Sequence, residues 1–158
     1  MLNQLHDVLL LAALLGCGVI AGVFFAFSTF VMKALMRLTS GEGIAAMQVI
    51  NITVLNPWFL GVFLGTSVVC IVLLGVSLFL MNQSGAGYVI AGSAFYLFGC
   101  LLVTVVFNVP KNKALAKVDV FADDAEFIWR NHVDEWTKWN HIRTAASFLA
   151  AACFAIVI

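Results

Sequence analysis

Three kinds of side chain in this sequence could do chemistry: an arginine in an apolar setting, three histidines, and a scatter of asparagines. Trp129, His132, Trp136, Asn140, Arg143 and Ser147 recur at three- and four-residue steps. On a helix those steps hold them within roughly 40° of one line, which reads as a face turned toward other helices. His141 lies about 120° from that line and points at a different neighbour. Ser28, Gln48, Asn51, Asn56, Asn108, Asn112, Asn140 and Thr144 all fall close to charged segments, so polar groups gather at one level. Arg143 has two readings. Its stem can carry the guanidinium to lipid headgroups, or the side chain stays inside as a buried cation awaiting an anionic ligand. Tryptophans at this level suit an aromatic belt at a membrane surface or the inward stripe. The asparagines suit helix caps and interhelical hydrogen bonds or a site.

A metal centre is not expected. His132 and His141 are ~13.5 Å apart along one helix and on opposite faces, and His6 belongs to the other side of the membrane, about 30 Å away. There is no His-x-x-x-His, Glu-x-x-His or Cys/His cluster of the kind that binds metal. A single axial histidine leaves haem open. Cys17, Cys70, Cys100 and Cys153 stand singly inside apolar runs, where cysteine acts as a small packing residue.

The elements that must position these residues follow from charge placement. Of 158 residues, 63% are hydrophobic and 10% charged, and the mean hydropathy is +1.07. Such a composition excludes a soluble globule, a disordered chain and a nucleic-acid-binding module. Eight basic residues balance eight acidic ones, so net charge draws no polyanion. Uncharged stretches between Val8 and Met32, from Gly43 to Pro110, and after Arg143 are long enough to span a bilayer. They predict an all-α integral membrane four-helix bundle, one domain over residues 1–158, with spans at about 8–36, 57–81, 88–107 and 139–158. The N-terminal run lacks a basic start and is longer than a cleavable signal core.

Residues 82–87 predict a tight turn, and Asn56-Pro57 a helix start. Residues 40–55 predict a short amphipathic cytoplasmic helix with Ile44, Met47, Gln48, Asn51 and Leu55 near one face. Pro110 is expected to break the third helix. Asp123 and Glu126 have capping-box spacing, after which one helix runs through Trp129 and Trp139 into the last span, giving that span a cytoplasmic extension. Gly18, Gly22 and Ala26, then Gly61 and Gly65, have the spacing of close helix packing, and such faces also allow a homo-oligomer. All eight basic residues lie on one side of this arrangement. The positive-inside rule makes that side cytoplasmic and puts both termini outside.

Several stretches together resemble the anthrone oxygenase-like family of small four-span membrane proteins. They are Gly22-Val-Phe-Phe-Ala-Phe-Ser28, Ala46-Met-Gln-x-x-Asn51 with Asn56-Pro57, Asn108-x-Pro-x-Asn112, and Trp136-Thr-x-Trp-Asn-His-x-Arg-Thr144. The last is the most specific, and the resemblance covers nearly the whole chain. It implies an oxidoreductase of a bacterial-type plasma (inner) membrane, oxidising a small apolar polycyclic substrate, anthrone- or quinol-like, with molecular oxygen by base-assisted deprotonation. No cofactor is implied. A base, a cation or donors for the oxyanion, and a flat apolar pocket are then required. His141 or His132 would be the base. Arg143, Asn140 and Asn108 would hold the anion, and Trp136 and Phe25 would stack on the rings. Asn51, Asn56 and Asn112 are expected near the same pocket. Two other readings stay open: a non-catalytic protein that binds membrane lipid or hydrophobic small molecules, and a haem-assisted redox protein. The expected partners are membrane lipid and a hydrophobic small molecule, with no nucleic acid.

Overall fold

A computed structural model describes residues 2–79 and 84–158. In lipid a backbone must satisfy its own polar groups, and the apolar runs all become helix. The first rod comprises α1 (Leu2–Ala26), a π-helical turn (Phe27–Val31) and α2 (Met32–Leu35), with Gln4–Leu35 as its candidate span. A short helix α3 (Ser40–Thr53) follows, then α4 (Pro57–Phe79). The third rod, Ala86–Leu115, comprises α5 (Ala86–Ala94), two π-helical segments (Phe95–Leu102 and Thr104–Asn108) and α6 (Val109–Leu115). The last helix, α7, runs from Ala125 to Val157 without interruption. Four of these rods are long and apolar enough to cross a membrane. At 1.5 Å per residue the 33-residue α7 is about 50 Å long, so roughly 20 Å of it stands beyond a 30 Å hydrocarbon core. This is the expected extension.

The rods form a ring in which α1 packs on α7 and α4, α4 on α5, and the third rod on α7. Inside it, Leu10, Ile20, Cys70, Tyr96 and Phe154 are buried, while Leu15, Val19, Val68, Ile71 and Phe98 face outward. The outward faces are as apolar as the interior, so what closes the bundle is close packing. α3 lies across the charged end, on α7 and α6, and its Ile44 and Met47 are fully buried there.

Three local expectations change. Pro110 does not break the third helix, which continues through it to Leu115. The π-helical Thr104–Asn108 segment stands just before it, and a wider turn relieves both the ring clash and the missing donor. No capping box forms at Asp123. Asp124 takes the N-cap position of α7 with no side-chain bond, while Glu126 pairs with Arg130 one turn on, at 2.9 Å. The glycines with packing spacing do not pack: a methyl group added at Gly18, Gly22, Gly61 or Gly65 would meet open space. Close approach occurs at Gly16, against Thr66, at Gly43, against Trp129, and at Gly99, against Ala146. Of the turn expected at residues 82–87, residues 82 and 83 lie outside the described residues, as do residues 80 and 81 at the expected end of the second span; Gly85 takes the left-handed conformation, φ +89°, that glycine adopts without strain.

The capping box that does form opens α3. Thr39 Oγ1 accepts from the Glu42 backbone N–H (3.4 Å), and the Thr39 N–H donates to Glu42 Oε2 (3.0 Å). Hydrogen bonds from the Thr39 hydroxyl and then its backbone N–H hold the Glu42 carboxyl below its ordinary value. A depressed carboxyl stabilises above the unfolded-state value and loses that contribution as pH falls through the folded one. Thr39→Ala is therefore expected to speed amide exchange in α3 by about fivefold at neutral pH. The difference from wild type should shrink as the pH drops through the acidic range in which Glu42 protonates.

Candidate functional site

The stripe read from the α7 sequence is the inward face: Trp129, His132, Trp136, Asn140, Arg143 and Ser147 are each at most 7% exposed. Arg143 is 4% exposed, so it does not snorkel. Its guanidinium carbon sits 4.0 Å from the centre of the Phe24 ring and 5.0 Å from that of Trp136, a placement in which two ring faces attract the cation. Nη2 donates to Asn140 Oδ1 at 2.6 Å and Nη1 to Thr104 Oγ1 at 3.3 Å. Among the described residues no carboxylate pairs with Arg143, and its Nε–H has no partner.

The acceptors around Arg143 are held from behind. Asn140 spends its amide hydrogens on the Phe24 carbonyl and on Ser28 Oγ, both at 2.7 Å, which leaves Oδ1 for the guanidinium. Thr144 gives its one proton to the Asn140 carbonyl (2.8 Å), so in the 3.0 Å contact between Ser28 and Thr144 the serine donates. Thr104 gives its proton to the Cys100 carbonyl (2.8 Å) and keeps a lone pair for Arg143. Ser28 and Thr104 both lie in π-helical segments. Such insertions re-aim side chains and recur at functional sites.

Beside this cluster is a cavity of about 400 Å³, within the range of small-molecule pockets. Its walls are apolar and aromatic, with Phe24, Phe27, Phe59 and Phe63 from α1, the π-helical turn after it and α4, and Trp136 from α7. Polar groups enter at few points: Arg143 and Thr104 at one, Gln48, Asn51, Asn112 and Lys113 at another. Asn112 Oδ1 accepts the Trp136 indole N–H at 2.8 Å and fixes the ring. Gln48 spends its amide on the Leu115 and Val118 carbonyls (2.9 and 3.1 Å), tying α3 to the end of the third rod. The Asn51 amide nitrogen is buried without a partner.

The structure thus brings together Arg143, Asn140, Trp136, Asn112 and Asn51. Asn108 is buried behind Trp136, donating to its carbonyl at 3.2 Å, and does not line the cavity. Asn56 caps α4, accepting from the Phe59 N–H and donating to the Thr53 carbonyl, both at 3.0 Å. Phe25 faces outward against Phe148. His141 is exposed. His132 is buried, stacked on Trp129, and lines a separate cavity of about 200 Å³ with Lys111, Leu115 and Glu135. Neither histidine lines the large cavity. Several of its residues escape the sequence reading, Thr104 and Phe24 beside Arg143 among them. Thr104 stands one turn before Asn108, and that spacing is a legible signal; Phe24 is one phenylalanine in a run of similar ones.

Among the described residues no group of three or more His, Cys, Asp or Glu side chains is placed to hold a metal ion. No curated protein and no solved structure matches the chain. Comparison with protein families matches residues 57–153 to anthrone oxygenase, a stretch that includes Thr104, Asn112, Trp136, Asn140 and Arg143 but not the α1 and α3 walls. With four helices long and apolar enough to cross a membrane, and matched over that majority of its length, the chain belongs to the anthrone oxygenase family.

Proposed function

We propose that this protein oxidises a small apolar polycyclic substrate, anthrone- or quinol-like, with molecular oxygen, and that Arg143 receives the substrate's oxyanion. One observation carries the reading: Arg143, whose guanidinium has no carboxylate partner among the described residues and whose buried Nε–H is unpartnered, is a lining residue of an apolar cavity of ligand size. Burying such a cation costs several kcal/mol, of order 2.5–3.5 near mid-bilayer, and a ligand anion offsets that cost. Membership of the family supports an oxygenase-like membrane protein. In this proposal the membrane is a bacterial-type plasma membrane, the charged end is cytoplasmic and both termini are outside.

The chemistry follows from the cavity. A carbonyl oxygen placed on the Arg143 fork makes the CH₂ across the ring, conjugated with it through the flanking rings once deprotonated, more acidic, because the enolate oxygen formed on proton loss gains a charge-assisted hydrogen bond. Among the described residues no imidazole or carboxylate lines the cavity, so the proton passes to water at the rim beside Asn112 and Lys113. The carbanion then adds O₂ to give a peroxide anion, which takes up a proton. Loss of water, with the second C–H proton, leaves a carbonyl. In sum, CH₂ and O₂ become C=O and H₂O, and the electrons pass straight from carbon to oxygen, with no resident cofactor in the scheme. Phe24, Phe27 and Trp136 provide flat surfaces for the rings.

The test is oxygen uptake by the protein in lipid nanodiscs supplied with 1,8-dihydroxyanthrone. One O₂ consumed per anthraquinone formed, well above the rate in empty nanodiscs, is the expected result. Retention of the anthrone with uptake no faster than in empty nanodiscs would overturn the enzyme reading and make the protein a binder.

A further inference from the structure

The large cavity has rims of two kinds. Toward the charged end it is bordered by Asn112, Lys113 and Ala116 of α6 and the residue after it. On another side its edge is made by Ile52 and Leu55 at the end of α3 and just beyond it, Leu64 of α4 and Val105 of the third rod. These four apolar side chains are 49–74% exposed, so they face outward as well as inward. Leu64 is seven residues into α4, about 10 Å along its axis, and an opening at that depth meets acyl chains rather than water.

Packing explains the gap. α4 packs along α5 and the Phe95–Leu102 segment of the third rod, but not comparably along Thr104–Asn108 or α6. Tyr96 locks the closed part, its hydroxyl donating to the Phe63 carbonyl at 3.0 Å. Beyond that level toward the charged end the two rods separate, and α3, which rests on α6 and α7, covers the space from below.

We propose that the ligand enters sideways from the bilayer, between Leu64 and Val105 and over the edge formed by Ile52 and Leu55. Its class is then a membrane-dissolved amphiphile with an ionisable hydroxyl or enolisable carbonyl at one end and a flat apolar body. The polar end travels inward to the Arg143 guanidinium, and Asn51, which also lines the cavity and whose buried amide nitrogen has no partner, takes a second oxygen. This inference rests on reading Arg143 as an oxyanion receiver, and it adds the source of the ligand and the route.

The experiment uses 1,8-dihydroxyanthraquinone, a coloured probe that cannot turn over by C–H loss, added to proteoliposomes in stopped flow. Val105→Trp and Leu64→Trp place bulk on outward-facing positions at the gap; Ala116→Trp does so at the aqueous rim. Association is expected to slow by about tenfold or more in the first two and to change little in the third. Val105→Ala, which removes bulk at the gap, should bind faster than wild type and keeps the test usable where a tryptophan variant does not fold. Binding slowed by Ala116→Trp alone, with Val105→Ala no faster than wild type, would overturn lateral entry and leave the site intact. No saturable binding to the wild-type protein would overturn the site reading itself.

Discussion

Arg143→Met is expected to leave the protein folded while ligand binding falls about 10- to 100-fold, the worth of one charge-assisted hydrogen bond of ~1.5–3 kcal/mol. Two opposing effects set the stability. Methionine leaves Asn140 Oδ1 and Thr104 Oγ1, the two acceptors of the guanidinium, without a donor, at about 1–3 kcal/mol for such a group. It also removes the cost of burying a cation among Phe24 and Trp136, of order 2.5–3.5 kcal/mol near mid-bilayer. The net change in thermal stability should therefore be small. Arg143→Lys keeps the charge but loses the fork and should weaken binding by about tenfold. Thermal unfolding in detergent, beside equilibrium titration with 1,8-dihydroxyanthraquinone, measures both. A variant that melts well below wild type yet, while folded, binds the probe as tightly as wild type would make Arg143 a structural cation.

Gly99→Ala is expected to destabilise the bundle by about 1–3 kcal/mol, the usual cost of forcing volume into a packed interior. A Cβ at Gly99 would collide with the Ala146 Cβ. A methyl group on α7 has no rotamer with which to escape, so the third rod and α7 must move apart. Ala146 lies three residues past Arg143 on α7 and Gly99 five before Thr104, so the same displacement should stretch the Arg143–Thr104 contact. Gly18→Ala and Gly61→Ala, where nothing lies within 4 Å, should be neutral or slightly stabilising, since alanine is the better helix former. Thermal melts of the three variants in one detergent decide it. Equal losses at all three positions would contradict the packing described.

These glycines show where reading the sequence stops. The spacing of Gly18, Gly22 and Ala26 is a sound local signal for a small face, but what meets that face depends on how the rods are rotated in the ring. Gly43 and Gly99 carry no motif, yet they are where α3 and the third rod approach α7. Pro110 is a similar case. Its chemistry predicts a break, and the π-helical turn that accommodates it arises from widened backbone geometry over Thr104–Asn108, which residue identity does not announce.

Charge placement and hydropathy alone determined the four membrane rods, the short helix at the charged end and the long continuous α7, because lipid admits apolar helices and little else. Helical periodicity alone also determined that Trp129, His132, Trp136, Asn140, Arg143 and Ser147 share the inward face, since that depends on 3.6 residues per turn within one rod. Only the tertiary structure decided which asparagines reach Arg143. Asn140 does, from its own helix, while Asn56 caps α4 and Asn108 sits behind Trp136. It likewise decided that His132 and His141 stay out of the large cavity and that Thr104 and Phe24 enter it. The physical reason is that depth in the bilayer follows from position along one chain segment, whereas contact requires the relative rotation and separation of several. That is settled by side chains meeting across helices, at Gly43 on Trp129 and Gly99 on Ala146.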